Sequence, residues 1–298
     1  MIIVEAAGGL GNQLQQYALY RKFLHLGREA RLDTSWFGEG APRALELDYL
    51  DGVAYTACTP AEKKLLFGTK LRRRLLPRTV AVFQESEIFH PEIFGFTDMY
   101  IRGYFACEAY YADILPKLRF DLRFRASQNP RNHVIVEEMR TGDSVAVHIR
   151  RGDYLTPDNQ ELFGGICTDA YYKASIDYIS QRHPRAKLYY FSDDSGFIHD
   201  KFTTKGRKKP RGDGLDFEIV DWNQGADSIY DMCLMSNCKH IVCANSTFSF
   251  WGGRLAANPE KIIIRPARHK NTQTIAPAEL LPLWPGWVLV DSEGRVFA

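Results

Sequence analysis

Short apolar runs alternate with stretches of helical spacing along the 298 residues of the chain. Ile2 to Glu5 reads as a first strand running into Gly8-Gly9-Leu10-Gly11. A helix is expected from about Asn12, where Leu14, Tyr17, Ala18 and Leu24 approximate one apolar face. Alternation over Thr79–Phe83 and Met99–Gly103 predicts further strands, and Cys107 to Leu118 has helical spacing broken by Pro116. The stretch 60–78 reads as basic and irregular. In the second half, Val145 to Ile149 is a buried strand, Thr168 caps a helix carrying Tyr172, Ile176 and Ile179, and Leu188 to Phe191 is the next strand. Strands at Phe217–Val220, His240–Cys243 and Lys261–Ile264 follow, with helices at Ile229–Cys233 and from Asn245-Ser246 through Trp251 to Leu255. Strands alternating with helices imply βαβ units and parallel sheets, an α/β fold. The polar stretch SQNPRNH at Ser127–His133 marks a boundary between lobes 1–130 and 131–298, with the C-terminal tail free to pack back on the first. Two Rossmann-like lobes with parallel sheets leave a cleft at the carboxyl ends of their strands, where ligands normally sit.

Hydrophobic residues make up 45% and charged residues 25%, enough for a large core. A formal net charge of +2 gives no field for nucleic acid, so anion binding has to come from local clusters. Cys58, Cys107, Cys167, Cys233, Cys238 and Cys243 lack metal-ligand spacing and read as small core residues of a reducing compartment. The start MIIVEAAGGLGNQ is not a secretory signal, and no run of about 18 apolar residues occurs, so a cytoplasmic location is expected.

Polar clusters stand at three strand ends. His148-Ile149-Arg150-Arg151-Gly152-Asp153-Tyr154 sets two arginines and a histidine beside a core, which suits an anionic ligand because guanidinium forks match phosphate oxygens. The plain alternative is a solvated arginine pair with Asp153 as partner. Arg151-Gly152-Asp153 and Arg211-Gly212-Asp213 also match an adhesion triplet, which arises readily by chance. Asn245-Ser246-Thr247-Phe248-Ser249 puts three hydroxyls at a helix start, more than a cap needs, where free N–H groups and the helix dipole favour phosphate. Ser192-Asp193-Asp194 offers carboxylates for a cation, for guanine N–H donors, or for a helix cap.

Gly9-Leu10-Gly11 with Asp33 imitates a dinucleotide fingerprint but has Leu14 in place of the third glycine, which weakens an NAD-dependent oxidoreductase. A non-catalytic carbohydrate-binding module would use Trp36, Trp284 and Trp287. The segment from Lys63-Lys64 through Arg72-Arg73-Arg74 to Arg78 carries five leucines and suits either a solvated helix or peripheral contact with an anionic membrane. Lys205 to Arg211 reads as an exposed loop.

GGLGNQLQQY, FHPEIF, GYFACEAYY, HIRRGDY, FSDD and DMCLMSNCKHIVCANSTFSFWGGRL occur in this order from about residue 5 to 265. Together they resemble glycosyltransferase family 11, the α-1,2-fucosyltransferases, and are similar to the wider group with α-1,6- and protein O-fucosyltransferases. The resemblance implies a GT-B-like architecture, an acceptor-side first lobe and a GDP-fucose-binding second lobe. It implies inverting transfer of L-fucose from GDP-β-L-fucose to the 2-hydroxyl of a terminal galactose, on an oligosaccharide or lipid-linked glycan, with no metal and no cofactor. A different linkage or a protein acceptor is the nearest rival. By the same resemblance Arg150 meets the β-phosphate, His148 lies against the nucleotide, and Asp193 or Asp194 reads guanine. Ser246 and Thr247, with Asn245 and Phe248, hold the diphosphate from the helix start. Asn12, with Gly11 and Gln13, faces the reaction centre, and Arg151 and Asp153 hold the arginine loop. Phe250-Trp251 stands where the family usually has Trp-Trp, and Arg254 replaces an apolar or aromatic residue. Glu85, Glu87, Glu92 and Asp153 are candidates for the general base, without a ranking among them.

Overall fold

The computed structural model describes residues 1–76, 81–86, 88–204, 207–209 and 211–298, and of Arg72 and Arg73 only the backbone. The chain forms two units, Met1–Arg125 and Ala126–Ala298.

The first unit runs β1 (Ile2–Glu5), α1 (Leu10–His25), β2 (Ala30–Asp33), β3 (Leu50–Asp51), α2 (Pro60–Phe67), α3 (Lys70–Leu75), β4 (Val82–Gln84), β5 (Met99–Arg102), α4 (Leu115–Asp121) and β6 (Arg123–Phe124). Its four-stranded sheet has the order β2-β1-β5-β4, all parallel, and β3 and β6 form a separate antiparallel pair. The apolar run of β1 is central because it can bury both faces: Ile2, Ile3 and Val4 are fully enclosed. Helix α1 starts two residues before the expected Asn12, and Leu24 of its expected apolar face is exposed. Gln13, Gln15 and Gln16 are buried instead, so the helix is embedded on more than its leucine face.

The described residues of the stretch 60–78 form two helices, α2 and α3, rather than irregular chain. Thr59 caps α2, accepting from the Glu62 N–H while the Glu62 carboxylate accepts from Thr59 N–H, and Pro60 occupies the first turn. Leu65, Leu71, Leu75 and Leu76 remain exposed. Pro116 opens α4 rather than breaking a longer helix, since a missing N–H costs nothing in the first turn. Two short 3₁₀ turns, Glu108–Tyr110 and Ala112–Ile114, precede it. Residues 79 and 80 of the expected Thr79–Phe83 strand, together with Arg78, lie outside the described residues, as do 205, 206 and 210 of the expected loop at Lys205–Arg211.

The second unit runs α5 (Pro130–Thr141), β7 (Ser144–Ile149), α6 (Pro157–Phe163), α7 (Asp169–Ser180), β8 (Lys187–Ser192), α8 (Ser195–Phe202), β9 (Thr203–Thr204), β10 (Arg207–Lys208), β11 (Phe217–Val220), α9 (Ile229–Asn237), β12 (His240–Val242), α10 (Thr247–Leu255), β13 (Ile263–Pro266), α11 (Pro277–Leu280), β14 (Trp287–Val290) and β15 (Val296–Phe297). The polar stretch at the boundary starts α5, capped by Asn129. Seven strands pair in the order β11-β8-β7-β12-β13-β14-β15, parallel except for β15. On one face Val145, Val147 and Ile149 pack with Tyr171, Ile176 and Ile179 of α7. The tail does not form a separate packing element: β14 and β15 extend this second sheet, because Trp287 to Val290 is buried throughout and needs a strand partner. The α/β class and a parallel sheet in each unit agree with the GT-B-like expectation.

Candidate active site

Strand order places the site in the second unit. From β7 the chain moves outward through β8 to β11, then returns to the other side of β7 as β12 and moves out through β13 and β14. The switch point therefore lies between β7 and β12, where helices leave in opposite directions and open a crevice at the strands' carboxyl ends. Two of the three polar clusters follow these two strands, and the third follows β8, next to β7.

Arg150 follows β7 directly. Its Nη2 donates to Asp153 Oδ1 at 2.6 Å, its Nη1 lies 3.0 Å from Asp193 Oδ2, and the guanidinium sits over the Tyr154 ring at 5.5 Å. Arg151 turns the other way. Its backbone N–H donates to Asp193 Oδ1 at 2.9 Å, its Nε donates to Asp194 Oδ2 at 3.1 Å, and its guanidinium lies 3.7 Å from the Phe197 ring centroid. The other oxygen of Asp194 accepts from Phe197 N–H and caps α8. That N–H, helped by Arg151, holds the Asp194 carboxyl below the usual range despite some burial. Gly152 is required here: a Cβ would stand 2.2 Å from Asp193 Oδ2. Asp193 and Asp194 are thus partners of the arginines in this structure. All four of their oxygens are engaged, so they present no ready carboxylate pair for a cation either.

Helix α10 begins after β12. Ser246 holds the N-cap position with extended backbone, yet its side chain makes no cap hydrogen bond. Ser249 Oγ donates back to the Ser246 carbonyl, so this hydroxyl braces the turn. Thr247 and Phe248 are half-buried in the first turn. Asn245 is not a ligand contact: it is buried, its Nδ2 donates to the Phe163 and His269 carbonyls, and its Oδ1 faces Cys167 Sγ. Tyr154 ties the two strand ends together by donating to the Asn245 carbonyl at 3.0 Å. His148 does not lie open against a ligand. Its ring is 4% exposed, 5.9 Å from the Phe248 ring, and its Nδ1 is buried without a hydrogen-bond partner. Burial first, and the nearby Arg150 charge second, push its pKa to about 3, so the ring is a neutral floor beneath α10.

In the first unit the parallel strands again end on one edge. Asn12 is half-buried, and its Nδ2 would stand 2.7 Å from a Cβ on Gly8, which has a left-handed φ of 81°. Gly11 is enclosed in the first helical turn. Gln13 is no substrate contact: its Nε2 donates to the Gly8 and Ala44 carbonyls, and its Oε1 accepts from Glu46 and Leu47 N–H. The N–H of Leu10, first residue of α1, is already bonded to Glu46 Oε2 at 2.9 Å. The start of α1 therefore carries the chain's own carboxylate, whereas at α10 the Ser246 side chain makes no cap bond. Asp33 is buried. Burial alone would raise its pKa, but Lys63, Tyr100 and the Ser35 N–H outweigh this and hold it low. Bound this way, it is not offered to a ribose.

Among the base candidates, Asp153 pairs with Arg150, and Glu85 Oε2 accepts from Tyr104 and Phe105 N–H at 2.7 Å each. Glu85 thereby steadies a turn in which Phe105 adopts a left-handed φ of 50°. Glu92 bonds His90, and Glu87 lies outside the described residues. Trp284 and Trp287 are core residues, 1% and 4% exposed, so they form no sugar-stacking platform. Arg254 is buried among Trp251, Trp284 and Trp287, which makes its departure from the family pattern a matter of packing. Arg211 pairs with Asp213 and donates to the Tyr190 hydroxyl, so the second Arg-Gly-Asp copy is tied into the sheet. All six cysteines are free thiols.

The model of glycosyl transferase family 11 matches residues 87–288. The chain belongs to this family. Among its relatives, the O-antigen biosynthesis glycosyltransferase WbnK of Escherichia coli is 26% identical over 303 residues, covering 88% of this chain and 92% of that protein. An alpha-1,2-colitosyltransferase of Escherichia coli is 29% identical over 274 residues, covering 89% and 91%. The human galactoside alpha-(1,2)-fucosyltransferase 1 is 31% identical over 122 residues, covering 39% and 31%.

The switch point of this family 11 glycosyltransferase carries an arginine and a helix start whose N-cap side chain makes no cap bond. Asp143, His183 and His240 bring ligand-type atoms within 4.8 Å of one another, but at the opposite, amino end of β7 and β12. Ile262 N–H donates to His240 Nδ1, so the proton of the neutral ring sits on Nε2, facing Asp143, and no lone pair is left there for a cation. The roles of Tyr154 and Glu46 came from the structure. Tyr154 carried a signal in its place in HIRRGDY, and Glu46 carried none.

Proposed function

We propose that this glycosyltransferase transfers L-fucose from GDP-β-L-fucose, with inversion, to the 2-hydroxyl of a terminal galactose. One observation carries the reading: Arg150 and the uncapped start of α10 flank the β7/β12 switch point. A diphosphate there exchanges one carboxylate partner of Arg150 for its own oxygens and receives the first-turn N–H groups. As GDP leaves, charge grows on the β-phosphate, and these fixed donors stabilise it. A metal is not needed for that neutralisation, and no cofactor takes part. Ser246 and Thr247 are proposed at the diphosphate, Arg150 at its β-phosphate, and Asn12 at the reacting sugar.

The names of the relatives support a 6-deoxy sugar and an α-1,2 linkage. The colitosyltransferase favours one second reading, transfer of colitose by the same chemistry. No helix among the described residues is long and apolar enough to cross a membrane. A cytoplasmic location and contact of the exposed leucines of 65–76 with anionic lipid remain part of the proposal. The deciding experiment offers GDP-fucose and GDP-colitose to galactose-terminated disaccharides with EDTA present, and reads linkage by NMR. An α-1,2-fucosyl product supports the reading; a colitosyl product alone, or activity lost to EDTA, overturns it.

A further inference from the structure

Most leucines of α2 and α3 turn away from the first unit's core. Leu66 is the inward residue of α2 and packs with Ile3 and Tyr100. The Phe67 ring lies 4.5 Å from the Tyr100 ring, which fixes the roll of the helix. Neighbouring residues of a helix stand about 100° apart, so an inward Leu66 sends Leu65 outward. Leu65 is 66% exposed. Gly68, with a left-handed φ of 75°, ends α2 and turns the chain into α3. On α3, Leu71 and Leu75 stand four apart and share one side, and they are 66% and 64% exposed. Leucines at that spacing ordinarily cover the protein's own core. Here they look outward.

Cations stand beside them. Lys64 on α2 and Lys70 and Arg74 on α3 are exposed, and the latter two form a stripe next to the leucine stripe. None of these three side chains pairs with a carboxylate among the described residues. The nearby acids are already engaged: Glu62 bonds Arg31 and caps α2 with Thr59, and Asp33 holds Lys63. The patch is therefore apolar and positive at once. A second copy seated on the same patch would bring like charges together. A bilayer with anionic lipid offers what the patch lacks, phosphates at the level of the cations and acyl chains beneath for the leucines. The long lysine and arginine stems reach the head groups while the leucines go deeper. No helix among the described residues can cross a membrane, so the helix pair lies on the surface.

We infer that the outer face of α2 and α3 docks the chain on an anionic bilayer, with Leu65, Leu71 and Leu75 among the acyl chains and Lys64, Lys70 and Arg74 against lipid phosphates. These residues give the lipid contact included in the proposed function, on which this rests, its place in the fold. The identity of the transferred sugar does not enter.

The test mixes the full chain with phosphatidylcholine vesicles, with and without phosphatidylglycerol, and reads bound protein by co-sedimentation. Wild type is expected to sediment with the anionic vesicles only, and to be released as salt rises from about 0.05 to 0.5 M. One cation near an anionic surface strengthens binding about fivefold, so Lys70→Gln combined with Arg74→Gln should weaken it roughly 25-fold. Leu71→Ser combined with Leu75→Ser should weaken it roughly 10-fold or more, with unchanged melting because both sites are mostly exposed. Leu71→Trp reads insertion directly: its emission should move to the blue on anionic vesicles and stay in place on neutral ones. Equal binding to both kinds of vesicle, no binding, unchanged binding in the paired glutamine variant, or no blue shift overturns the inference. So does dimerisation of the lipid-free chain, seen by light scattering and abolished by the paired serine variant, because it gives the face to a second copy. Transfer of fucose to a soluble disaccharide is measured alongside. A chain that binds anionic vesicles but transfers no fucose sinks the fucosyl reading and leaves the docking face standing; one that transfers fucose but ignores the vesicles sinks the docking face alone.

Discussion

Replacing Arg150 by alanine separates a structural loss from a chemical one. In the resting protein the change removes ion pairs to Asp153 at 2.6 Å and Asp193 at 3.0 Å. Those carboxylates are 42% and 25% exposed, so water takes over much of their solvation. Pairs of this kind contribute about 0–1 kcal/mol each, so the cost to stability is on the order of 1 kcal/mol, a melting shift of a few degrees. The departing diphosphate is a different matter. Loss of one preorganised donor to a developing oxyanion costs about 2.7–4 kcal/mol, or 10²–10³ in kcat. The expected result is therefore a deep loss of turnover in a protein that melts almost normally. Arg150→Lys keeps the charge but loses the fork that now spans two carboxylates, and should fall between. Arg151→Ala removes the Asp194 pair and the stack on Phe197, which brace the loop, so its kcat should fall less than tenfold. Initial rates with GDP-fucose, scanning calorimetry and GDP titration make the comparison. Turnover within threefold of wild type in Arg150→Ala would refute the reasoning, and equal losses at Arg150 and Arg151 would show that the pair has been divided wrongly.

Gln13→Ala strands two carbonyls and two N–H groups, so the first unit should lose on the order of 3 kcal/mol in denaturant unfolding while GDP affinity stays within twofold; a tenfold weaker GDP affinity would return Gln13 to the binding site. Acid should destabilise the second unit. Burial holds His148 at about 3 and His240 at about 4, below the ordinary value near 6.5, so the unfolded chain takes up protons first as pH falls. These two histidines cost up to about 4 kcal/mol between pH 7 and pH 5 and His269, held at about 3, adds about 2 more, while Asp231, raised by burial to about 8, returns about 2–3 kcal/mol over the same span; a lower urea midpoint at pH 5 is therefore expected, and equal midpoints at pH 7 and pH 5 would contradict this.

The sheet of the second unit was legible because each of its parallel strands is a short apolar run bounded by polar residues, a signal that does not depend on neighbours. The missed helices of the first unit carried their signals in single residues. Thr59, Pro60 and Glu62 start α2, and Pro116 starts α4, but a proline reads equally as a break or a beginning until the hydrogen bonds around it are known. The site divides in the same way. Residue types at strand ends drew attention to Arg150 and Ser246, since charge and hydroxyl groups beside a core need a reason. The partners of those residues were beyond reach. Asp193, Asp194, Asn245 and Gln13 are polar residues in the right places, yet each is consumed by the chain itself. A sequence shows which groups can bind a ligand and does not show which have already been bound.

That distinction separates the two helix starts, one in each unit. Both follow a parallel strand, and the glycine loop before α1 looks more like a phosphate site than the segment before α10. Glu46, 36 residues from Leu10, fills the first with a carboxylate. No local pattern announces this, and the oxidoreductase reading of the glycine loop fails on it and on Asp33, which Lys63 and Tyr100 already hold. At α10 the residue best suited to close the helix, Ser246, leaves it uncapped, and Arg150 stands at the neighbouring strand end. A helix start whose N-cap side chain makes no bond, beside a guanidinium, suits an anion that arrives there during the protein's work. That arrangement, rather than the number of polar residues in the segment, is why we propose the β7/β12 crevice as the donor site.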